Sequence, residues 1–447
     1  MSYDYDLFVI GAGSSGLAAA KRAANYGAKV AIAEAHHLGG TCTNLGCIPK
    51  KLMVFAADFA HWADAATGYG WTPQTPEFSW QRFKENRDRY LDTLRQSQRQ
   101  SLEKLNVEII CGSAKLLDLH AIEVGDRKVT ADKILIAVGG KPMKPDLPGI
   151  EHTITSEQMF HLDELPKRLA IMGGGYIGVE FASVMRGFGV EVCLINRDEH
   201  ILSGFDTVIV NAIESAYANR GIPIYSNTTI EKIESHDRTL AVTLTGDSTE
   251  TLSVDTILCA IGRAPNLEHL GLEQVGVEMD KKSIFVDEFS RTNQPNIYAI
   301  GDCTNRKQLT PVARAEGKAF AQTVFGERPC SIEYSSVPAA VCARPEAAMV
   351  GLTETEAREK FGDQIECAET TFKPLFHGLS NQDLNTTIKY IIDRSNDRIL
   401  GIHMVGIDSA EILQGFALAF RKGVTKHEMD AAIGIHPSSA EEFFTMD

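Results

Sequence analysis

Short apolar runs that end in glycine-rich turns recur through the first two thirds of the chain. Two of them, YDLFVI at 5–10 and RLAIM at 168–172, each run into a G-x-G-x-x-G turn and then into a helical pattern. Strands that are buried on both faces have this continuous apolar texture. The pattern predicts an α/β fold with a strand–turn–helix–strand unit at each place.

The two units form an internal repeat, at residues 11–34 and 173–196. In each, an aromatic-Gly pair closes the helical pattern sixteen residues after the first glycine, and a polar residue stands twenty-three residues after it. Such a turn presents backbone N–H groups and the positive end of a helix to a pyrophosphate. The matched spacing favours two dinucleotide sites over the alternative, two ordinary glycine-rich turns.

The polar residue differs between the repeats, and so does the nucleotide that we expect. In the first it is Glu34, whose carboxylate can accept hydrogen bonds from the ribose of an unphosphorylated adenosine, as in FAD. In the second it is Asn196, followed by Arg197, and an arginine there can pair with a 2′-phosphate. This predicts NADPH at the second repeat; a solvated surface cation is the alternative for Arg197.

Three further apolar runs end in glycine, ILIAVGG at 134–140, ILCAIGR at 257–263 and IYAIGD at 297–302. Such strand ends are typical ligand-binding edges of α/β sheets. After about residue 333 the texture changes to strand-like runs such as TTIKYIIDR that alternate with helical ones such as AEILQGFALAFRKG. The pattern predicts two Rossmann-like domains and a third, α+β domain.

Composition narrows the classes of partner and the compartment. The net charge of −15 argues against nucleic acid and anionic membranes, which need a basic surface. No apolar run approaches the about 20 residues of a membrane span, and we expect no signal peptide at the N-terminus. Nine scattered cysteines do not resemble a secreted disulfide framework and indicate a reducing cytoplasm.

One cysteine pair is different, because Cys42 and Cys47 stand close together directly after the first repeat. Two thiols beside a flavin site can cycle between dithiol and disulfide, and Lys50 would favour a thiolate at Cys47. A zinc pair and two inert core cysteines are the alternatives, but no second Cys/His pair is found and we expect no metal. The other seven cysteines lie mostly in apolar runs and are predicted to be buried.

Four motifs carry a resemblance to a known family: GGTCTNLGCIPKK, the paired G-x-G-x-x-G units, YAIGDCT followed by LTPVA, and a terminal GIHPSSAEEFFTM. Over nearly its whole length the chain resembles the glutathione reductase branch of the flavoprotein disulfide reductases. The resemblance implies an NADPH-dependent FAD enzyme that reduces oxidised glutathione as a homodimer. The implied domains are FAD-binding (1–139), NADPH-binding (140–264), FAD-side central (265–332) and dimerisation (333–447).

The resemblance also implies roles for matching residues. Cys47 would face the flavin and form a charge-transfer complex, and Cys42 would attack the substrate disulfide. His436 of the partner subunit, oriented by Glu441, would be the acid/base in a shared site. The catalytic set is Cys42, Cys47, His436, Glu441, Lys50 and Glu180, with Lys50 near flavin N5 and paired with Glu180.

The fingerprints and the resemblance together mark the cofactor positions. Tyr176 would cover the nicotinamide pocket, and Asp302 would bind the FAD ribitol. The expected cofactor-binding residues are Gly11, Gly13, Ser14, Ser15, Gly16, Glu34, Gly40, Thr41, Lys50, Gly139, Gly173, Gly175, Tyr176, Ile177, Glu180, Arg197, Gly262, Arg263, Asp302, Leu309 and Thr310.

Substrate binding is implied for Ser14, Lys21 and Lys318, where both lysines replace arginines of the family. Gln98 in place of a tyrosine and Arg314 in place of an apolar residue are further departures, and Ser203 replaces a second NADP-binding arginine. The alternatives left open are a reductase of a related disulfide such as glutathione amide or trypanothione, a dihydrolipoamide dehydrogenase, and a non-catalytic redox sensor. Pro49-Lys50-Lys51 and Asn196-Arg197 argue against the dehydrogenase.

Overall fold

The structure is a computed structural model that describes residues 2–72, 77–380, 382 and 384–446. Its strands are β1 (Tyr5–Ile10), β2 (Val30–Glu34), β3 (Glu108–Cys111), β4 (Ala114–Leu116), β5 (Ala121–Val124), β6 (Arg127–Ile136), β7 (Gly140–Pro142), β8 (Ile154–Thr155), β9 (Arg168–Met172), β10 (Glu191–Ile195), β11 (Ile224–Tyr225), β12 (Thr228–His236), β13 (Thr239–Gly246), β14 (Thr251–Val254), β15 (Thr256–Cys259), β16 (Arg263–Pro265), β17 (Ile297–Ala299), β18 (Ala339–Val341), β19 (Ala347–Gly351), β20 (Ile365–Phe372), β21 (Thr386–Asp393) and β22 (Arg398–Val405).

Its α-helices are α1 (Ser14–Asn25), α2 (Gly40–Asn44), α3 (Cys47–Ala66), α4 (Trp80–Glu103), α5 (Ser156–Met159), α6 (Tyr176–Gly187), α7 (Thr207–Asn219), α8 (Thr310–Phe325), α9 (Glu354–Phe361), α10 (Ser409–Arg421) and α11 (Lys426–Asp430). Within the described ranges, none of them combines the length and the apolarity that crossing a membrane requires.

Two compact units divide the chain. The first unit comprises Met1–Lys50, Gln81–Met143 and Gly262–Tyr334. The second unit comprises Lys51–Trp80, Lys144–Ile261 and Ser335–Asp447. Each unit contains a sheet of parallel strands, one of which leads into a glycine turn. The predicted class, α/β with two Rossmann-like domains and a C-terminal α+β domain, is therefore confirmed.

In the first unit β3, β2, β1, β6 and β17 pair in parallel in that order, and β5 and β4 continue the sheet antiparallel beyond β6. Ile10 of β1 and Ala299 of β17 both pair with Ile136 of β6. The carboxyl ends of these three strands therefore meet at one edge of the sheet. The glycine turns that follow them come together there, as the sequence pattern predicts.

Both faces of this sheet are buried, which explains the continuous apolar runs. Leu7 and Val9 of β1 pack in one core cluster with helix α1, while Phe8 and Ile10 point into a second cluster with β4–β6. All four side chains are buried.

The second unit repeats the arrangement. Its sheet has the order β11-β10-β9-β15-β8 and is parallel throughout, and α6 connects β9 to β10. The helix closes as in the first repeat: Tyr26 and Phe188 cap α1 and α6, and the next residues, Gly27 and Gly189, have φ of +91° and +86°. Only glycine adopts that backbone readily, which accounts for the aromatic-Gly pairs.

The C-terminal part of the second unit is an antiparallel sheet of order β18-β19-β22-β21-β20. The predicted strands TTIKYIIDR and ILGIHMVGI are β21 and β22, and AEILQGFALAFRKG is α10, so these predictions are confirmed. One core cluster joins this sheet to α10 and to the terminal segment, where Tyr390 donates a hydrogen bond to the carbonyl of Phe443 at 2.8 Å.

Candidate active site

Two glycines of the first turn, Gly11 and Gly16, have no room for a side chain. A Cβ on Gly11, whose φ is +101°, would lie 2.5 Å from the carbonyl oxygen of Ala137 at the end of β6. A Cβ on Gly16 would lie 2.0 Å from the oxygen of Gly11. The backbone is therefore exposed at these two positions, and α1 begins directly after Gly13, with Ser14 and the buried Ser15 in its first turn. This is the geometry that binds a pyrophosphate.

The carboxylate of Glu34 is fixed from two sides. Its Oε2 accepts a hydrogen bond from the N–H of Ala12 at 2.8 Å, and its Oε1 accepts one from His36 at 2.9 Å. A cavity of about 140 Å³ opens beside it, lined also by His37 and Arg99. A fixed carboxylate next to a side-chain-free turn fits the ribose and pyrophosphate of FAD. Apart from Glu34, the residues that line this cavity were not predicted from the motifs as cofactor-binding residues.

The turn after β17 lies beside the start of α1 and forms a second side of the same site. The N–H of Gly301 donates to Glu316 Oε2 at 2.7 Å, and a Cβ on Gly301 would lie 3.0 Å from Ser15 Oγ. Glu316 is only 1% exposed and its other oxygen accepts from Tyr334 at 2.6 Å. Burial raises the pKa of the neighbouring Asp302. The turn that carries Asp302 is thus anchored by a buried glutamate that the motifs did not predict. Its one signal in the sequence is that Glu316 is the only acidic residue of α8.

Gly262 and Arg263 lie in the first unit, where the chain returns through β16. The guanidinium of Arg263 donates a hydrogen bond to the carbonyl of Gly140, and its charge lowers the pKa of Asp302 against the effect of burial. Gly139, with φ of +66°, accepts a hydrogen bond from Asn266 at 3.0 Å. These predicted positions therefore gather around the Asp302 turn.

The second glycine turn copies the first. A Cβ on Gly173 would lie 2.5 Å from the oxygen of Ala260. Asn196 takes the place of Glu34: its Oδ1 accepts from the N–H of Gly174 at 3.2 Å, and its Nδ2 donates to the carbonyls of Asp198 and His200 at 2.8 and 2.9 Å. A buried neutral amide here removes the negative charge that would repel a 2′-phosphate.

Around this turn the other predicted residues differ in exposure. Tyr176 is exposed at the start of α6, next to Gly175 and Ile177. Arg197 is 80% exposed, and its Nε lies 3.5 Å from the carboxylate of Asp198. Glu180 is buried and its Oε1 accepts the N–H of Cys342 at 2.8 Å, within the second unit. The pairing of Glu180 with Lys50 stays a prediction.

The cysteine pair lies in the segment from α2 to the start of α3, which packs against the first glycine turn. Cys42 lies in the short helix α2 and Cys47 begins α3. A Cβ on Gly40 would lie 2.7 Å from Gly13 Cα, so the two backbones touch. Between the cysteines, Asn44 is buried: its Nδ2 donates to the carbonyls of Leu38 and Gly40, at 3.1 and 2.9 Å. Its Oδ1 accepts from Arg95 at 2.9 Å, which fixes the segment.

Two helix N-termini bring hydroxyls to the sulfurs. Thr310, at the start of α8, has its Oγ1 3.5 Å from the Sγ of Cys47. The pKa of Cys42 is raised, first by a hydrogen bond with the Cys47 side chain and then by burial and by repulsion from a charge on Cys47. Hydrogen bonds from Thr310 and Ser14 oppose that rise. The two sulfurs therefore titrate as a coupled pair, in which the two hydroxyls favour the thiolate of Cys42.

Cys42 and Cys47 also differ in solvent exposure. Cys47 is exposed and Cys42 is half-buried in the single chain, and the two predicted roles stay predictions. Of the seven other cysteines, Cys259 and Cys303 are buried as expected, whereas Cys193, Cys330, Cys342 and Cys367 are only half-buried. The expectation of burial is wrong for Cys111, which is exposed at the end of β3, where alternate side chains leave the core.

The terminal segment of the second unit holds an acid/base candidate. The Nδ1 of His436 lies 3.0 Å from both carboxylate oxygens of Glu441. Glu441 also accepts the N–H of Ser438 at 3.2 Å. The hydrogen bond from His436 lowers the pKa of Glu441. This leaves Nε2 of an 82% exposed imidazole directed to solvent, as the predicted role requires.

Of the predicted substrate residues, Lys21 is half-buried and its Nζ donates to the side-chain oxygen of Gln98 at 2.6 Å. Burial, and after it the charge of Arg314, lowers the pKa of Lys21. Lys318 is exposed on α8. The two substitutions that depart from the family, Gln98 and Arg314, are thus neighbours of Lys21.

The comparisons with known proteins agree with this architecture. The family described as pyridine nucleotide-disulphide oxidoreductase matches residues 5–317, and the dimerisation domain of pyridine nucleotide-disulphide oxidoreductases matches residues 337–446. The chain therefore belongs to the pyridine nucleotide-disulphide oxidoreductases.

Within that family, similar relatives carry one name. A glutathione reductase of Nostoc sp. is 48% identical over 100% of both chains. The glutathione reductase of Burkholderia cepacia is 42% identical, covering 99% of this chain and 98% of its own. The chloroplastic/mitochondrial glutathione reductase of Pisum sativum is 40% identical, covering 99% and 82%.

Proposed function

We propose that the protein is an NADPH-dependent glutathione-disulfide reductase, which converts oxidised glutathione to two molecules of glutathione. The observation that carries the proposal is the cysteine pair: Cys42 and Cys47 lie in a segment whose Gly40 packs against Gly13 of the first nucleotide turn, and the Sγ of Cys47 lies 3.5 Å from Thr310 Oγ1. The relatives' shared name, over whole-length matches, supports the choice of substrate.

The cofactors are FAD and NADPH. FAD would be held by the first glycine turn, the fixed carboxylate of Glu34 and the Asp302 turn. NADPH would be held by the second glycine turn, with Arg197 for the 2′-phosphate and Tyr176 beside the nicotinamide. When bound, the two cofactors supply the electron pair that reduces the Cys42–Cys47 disulfide.

The thiol pair then carries out two exchanges. The Sγ of Cys42 attacks one sulfur of oxidised glutathione, so a mixed disulfide forms and one glutathione leaves as a thiol. The Sγ of Cys47 attacks the Sγ of Cys42, which restores the disulfide and releases the second glutathione. Ser14 and Thr310 donate hydrogen bonds that stabilise the thiolate at Cys42 against burial. The sum is one oxidised glutathione and two thiol protons in, two glutathiones out.

Each exchange needs a proton moved, and we assign this to His436 of the partner subunit. The chain carries the family's dimerisation domain and acts as a homodimer. Ile433 and Ile435, beside His436, are 96% and 80% exposed in one chain, and exposed apolar side chains of this size are typical of a protein interface. Glu441 would hold the imidazole so that Nε2 donates to the leaving thiolate.

Two further points belong to the proposal. We place the domain limits at 1–139, 140–264, 265–332 and 333–447; the compact units change within a few residues of the limits at 139 and 264, between Met143 and Lys144 and between Ile261 and Gly262. We place the protein in the cytoplasm, because its nine cysteines are scattered and odd in number.

A matrix of steady-state assays tests the function. NADPH and NADH are each combined with oxidised glutathione, glutathione-amide disulfide, trypanothione disulfide and lipoamide. We expect the largest kcat/KM for NADPH with oxidised glutathione, and two thiols released per NADPH consumed. A larger kcat/KM for another disulfide would overturn the assignment of the substrate. The largest kcat/KM for NADH with lipoamide would overturn the reductase assignment in favour of a dihydrolipoamide dehydrogenase.

A further inference from the structure

We propose that the guanidinium of Arg314 binds a glycine carboxylate of the disulfide substrate, as the middle cation of a row that starts at the thiol pair. The inference rests on the proposed function, because it concerns how the same site recognises its substrate. It adds a specificity-determining residue at a position where the family resemblance leads us to expect an apolar side chain.

Helix α8 carries the row. Thr310 lies 3.5 Å from Cys47 Sγ, and Arg314 and Lys318 follow at intervals of four residues. Side chains four apart share one face of a helix, which rises about 1.5 Å per residue. Arg314 therefore lies about 6 Å, and Lys318 about 12 Å, further along the axis than the hydroxyl that contacts the sulfur. Both cations are exposed, so a ligand attached to the sulfurs can reach them.

Helix α1 runs close to α8 and brings a third cation. Gly317 makes the close approach possible, because a Cβ there would lie 2.4 Å from the oxygen of Ser15 and 3.0 Å from the nitrogen of Ala19. Ser14 hydrogen-bonds to Cys42, and Lys21 follows seven residues later, two helical turns along the same face. Each of the two helices therefore begins with a hydroxyl that contacts a sulfur of the thiol pair, and each carries a cation further along the same face.

The charges of the row are not compensated by the protein. Lys21 donates to the neutral Gln98 at 2.6 Å, and its pKa is lowered by burial and by the nearby charge of Arg314. In the part of the chain that the structure describes, neither Lys21, Arg314 nor Lys318 forms an ion pair with a carboxylate. Like charges held together without a counter-ion are unfavourable unless a ligand supplies the negative charge.

The chemistry of arginine explains why the third cation matters. A guanidinium binds a carboxylate with two parallel hydrogen bonds, whereas an ammonium binds it as a point charge. At both positions where the resemblance implies an arginine, this chain has a lysine. Arg314 supplies one such guanidinium, about one helical turn along α8 from the hydroxyl that contacts the sulfur. Gln98 accepts a hydrogen bond from the neighbouring Lys21 and keeps it close to Arg314. The substrate class is therefore a disulfide whose carboxylates lie about one helical turn, ~6 Å, from its sulfurs.

Charge selectivity tests the assignment. Oxidised glutathione and glutathione-amide disulfide, which has the same shape but lacks the glycine carboxylates, are compared as substrates of the wild type, Arg314→Gln and Arg314→Lys. Arg328→Gln removes an exposed charge just past the end of α8 and is the matched control. We expect Arg314→Gln to raise KM for oxidised glutathione on the order of 10-fold and to leave the amide unchanged. Arg314→Lys should lie between, and Arg328→Gln should match the wild type.

An equal change for both disulfides, or none for either, would overturn the role of Arg314 and leave the proposed function standing. A wild-type enzyme that consumes NADPH with an artificial electron acceptor but reduces neither disulfide would overturn both, so the two failures are distinguishable.

Discussion

The Nδ1 of His436 lies 3.0 Å from both oxygens of the Glu441 carboxylate. Because this hydrogen bond lowers the pKa of Glu441, the carboxylate stays charged at neutral pH and its hold on the ring is lost only as the pH falls through that lowered value. The tautomer with the proton on Nδ1 leaves Nε2 able to exchange a proton with a thiol.

Removing the charge of Glu441 should slow only the disulfide steps. We expect Glu441→Gln to lower kcat for oxidised glutathione by about 10- to 100-fold, because an amide fixes the ring less well, while NADPH oxidation with an artificial acceptor continues unchanged. Glu411→Gln, an exposed carboxylate on α10, is the control. Equal losses in both activities would mean that Glu441 supports the fold and not the imidazole.

A glycine positions this pair, and it gives a steric test. A Cβ on Gly434 would lie 2.7 Å from Glu441 Cβ, so Gly434→Ala should displace the carboxylate and reduce disulfide turnover by at least the same factor. Gly415 lies in α10 with nothing within 4 Å of its Cβ position. Gly415→Ala should keep full activity and gain up to about 1 kcal/mol in stability. A Gly434→Ala enzyme with normal kcat would contradict the packing.

The hydroxyls of Thr310 and Ser14 should set the reactivity of Cys42. Their hydrogen bonds lower its pKa, so Thr310→Val should raise that pKa further and Thr310→Ser should preserve it. The rate of alkylation of the NADPH-reduced enzyme by iodoacetamide, followed against pH, measures this. We expect the midpoint to move to higher pH in Thr310→Val, and a midpoint that stays in place would remove Thr310 from the thiolate's environment.

Nucleotide selectivity should depend on Arg197, but only in part. Its side chain is 80% exposed and its Nε lies 3.5 Å from the carboxylate of Asp198. Solvent and this carboxylate therefore weaken the attraction between Arg197 and a 2′-phosphate. We expect Arg197→Met to raise KM for NADPH about 10-fold and to leave KM for NADH unchanged. Arg238→Met, which removes an exposed arginine in the turn between β12 and β13, is the control. Equal changes for both nucleotides would mean that Arg197 is a solvated surface cation.

The sequence predicted what periodicity and fixed spacing encode. The strands around both glycine turns and the positions of Glu34 and Asn196 follow from these patterns, since a βαβ unit places them by geometry. Contacts between segments far apart in sequence leave no such pattern. Arg314 beside Lys21 is of this kind, and only folding brings these residues together. Glu316 under the Gly301 turn and Gly434 against Glu441 lie closer in sequence, but no fixed spacing marks either contact. Burial of Cys111 was predicted wrongly, because an apolar run does not say which face of an edge strand is covered.

The central claim is that the thiol pair of one subunit passes electrons to the substrate, while a histidine of the other subunit moves the proton. Inactive Cys42→Ser and His436→Ala subunits are mixed, dissociated and reassociated, and heterodimers are verified. Each heterodimer then holds one site in which both groups are intact. The account predicts recovery of about a quarter of wild-type glutathione reductase activity if the subunits pair at random. No recovery despite verified heterodimers would contradict the shared site.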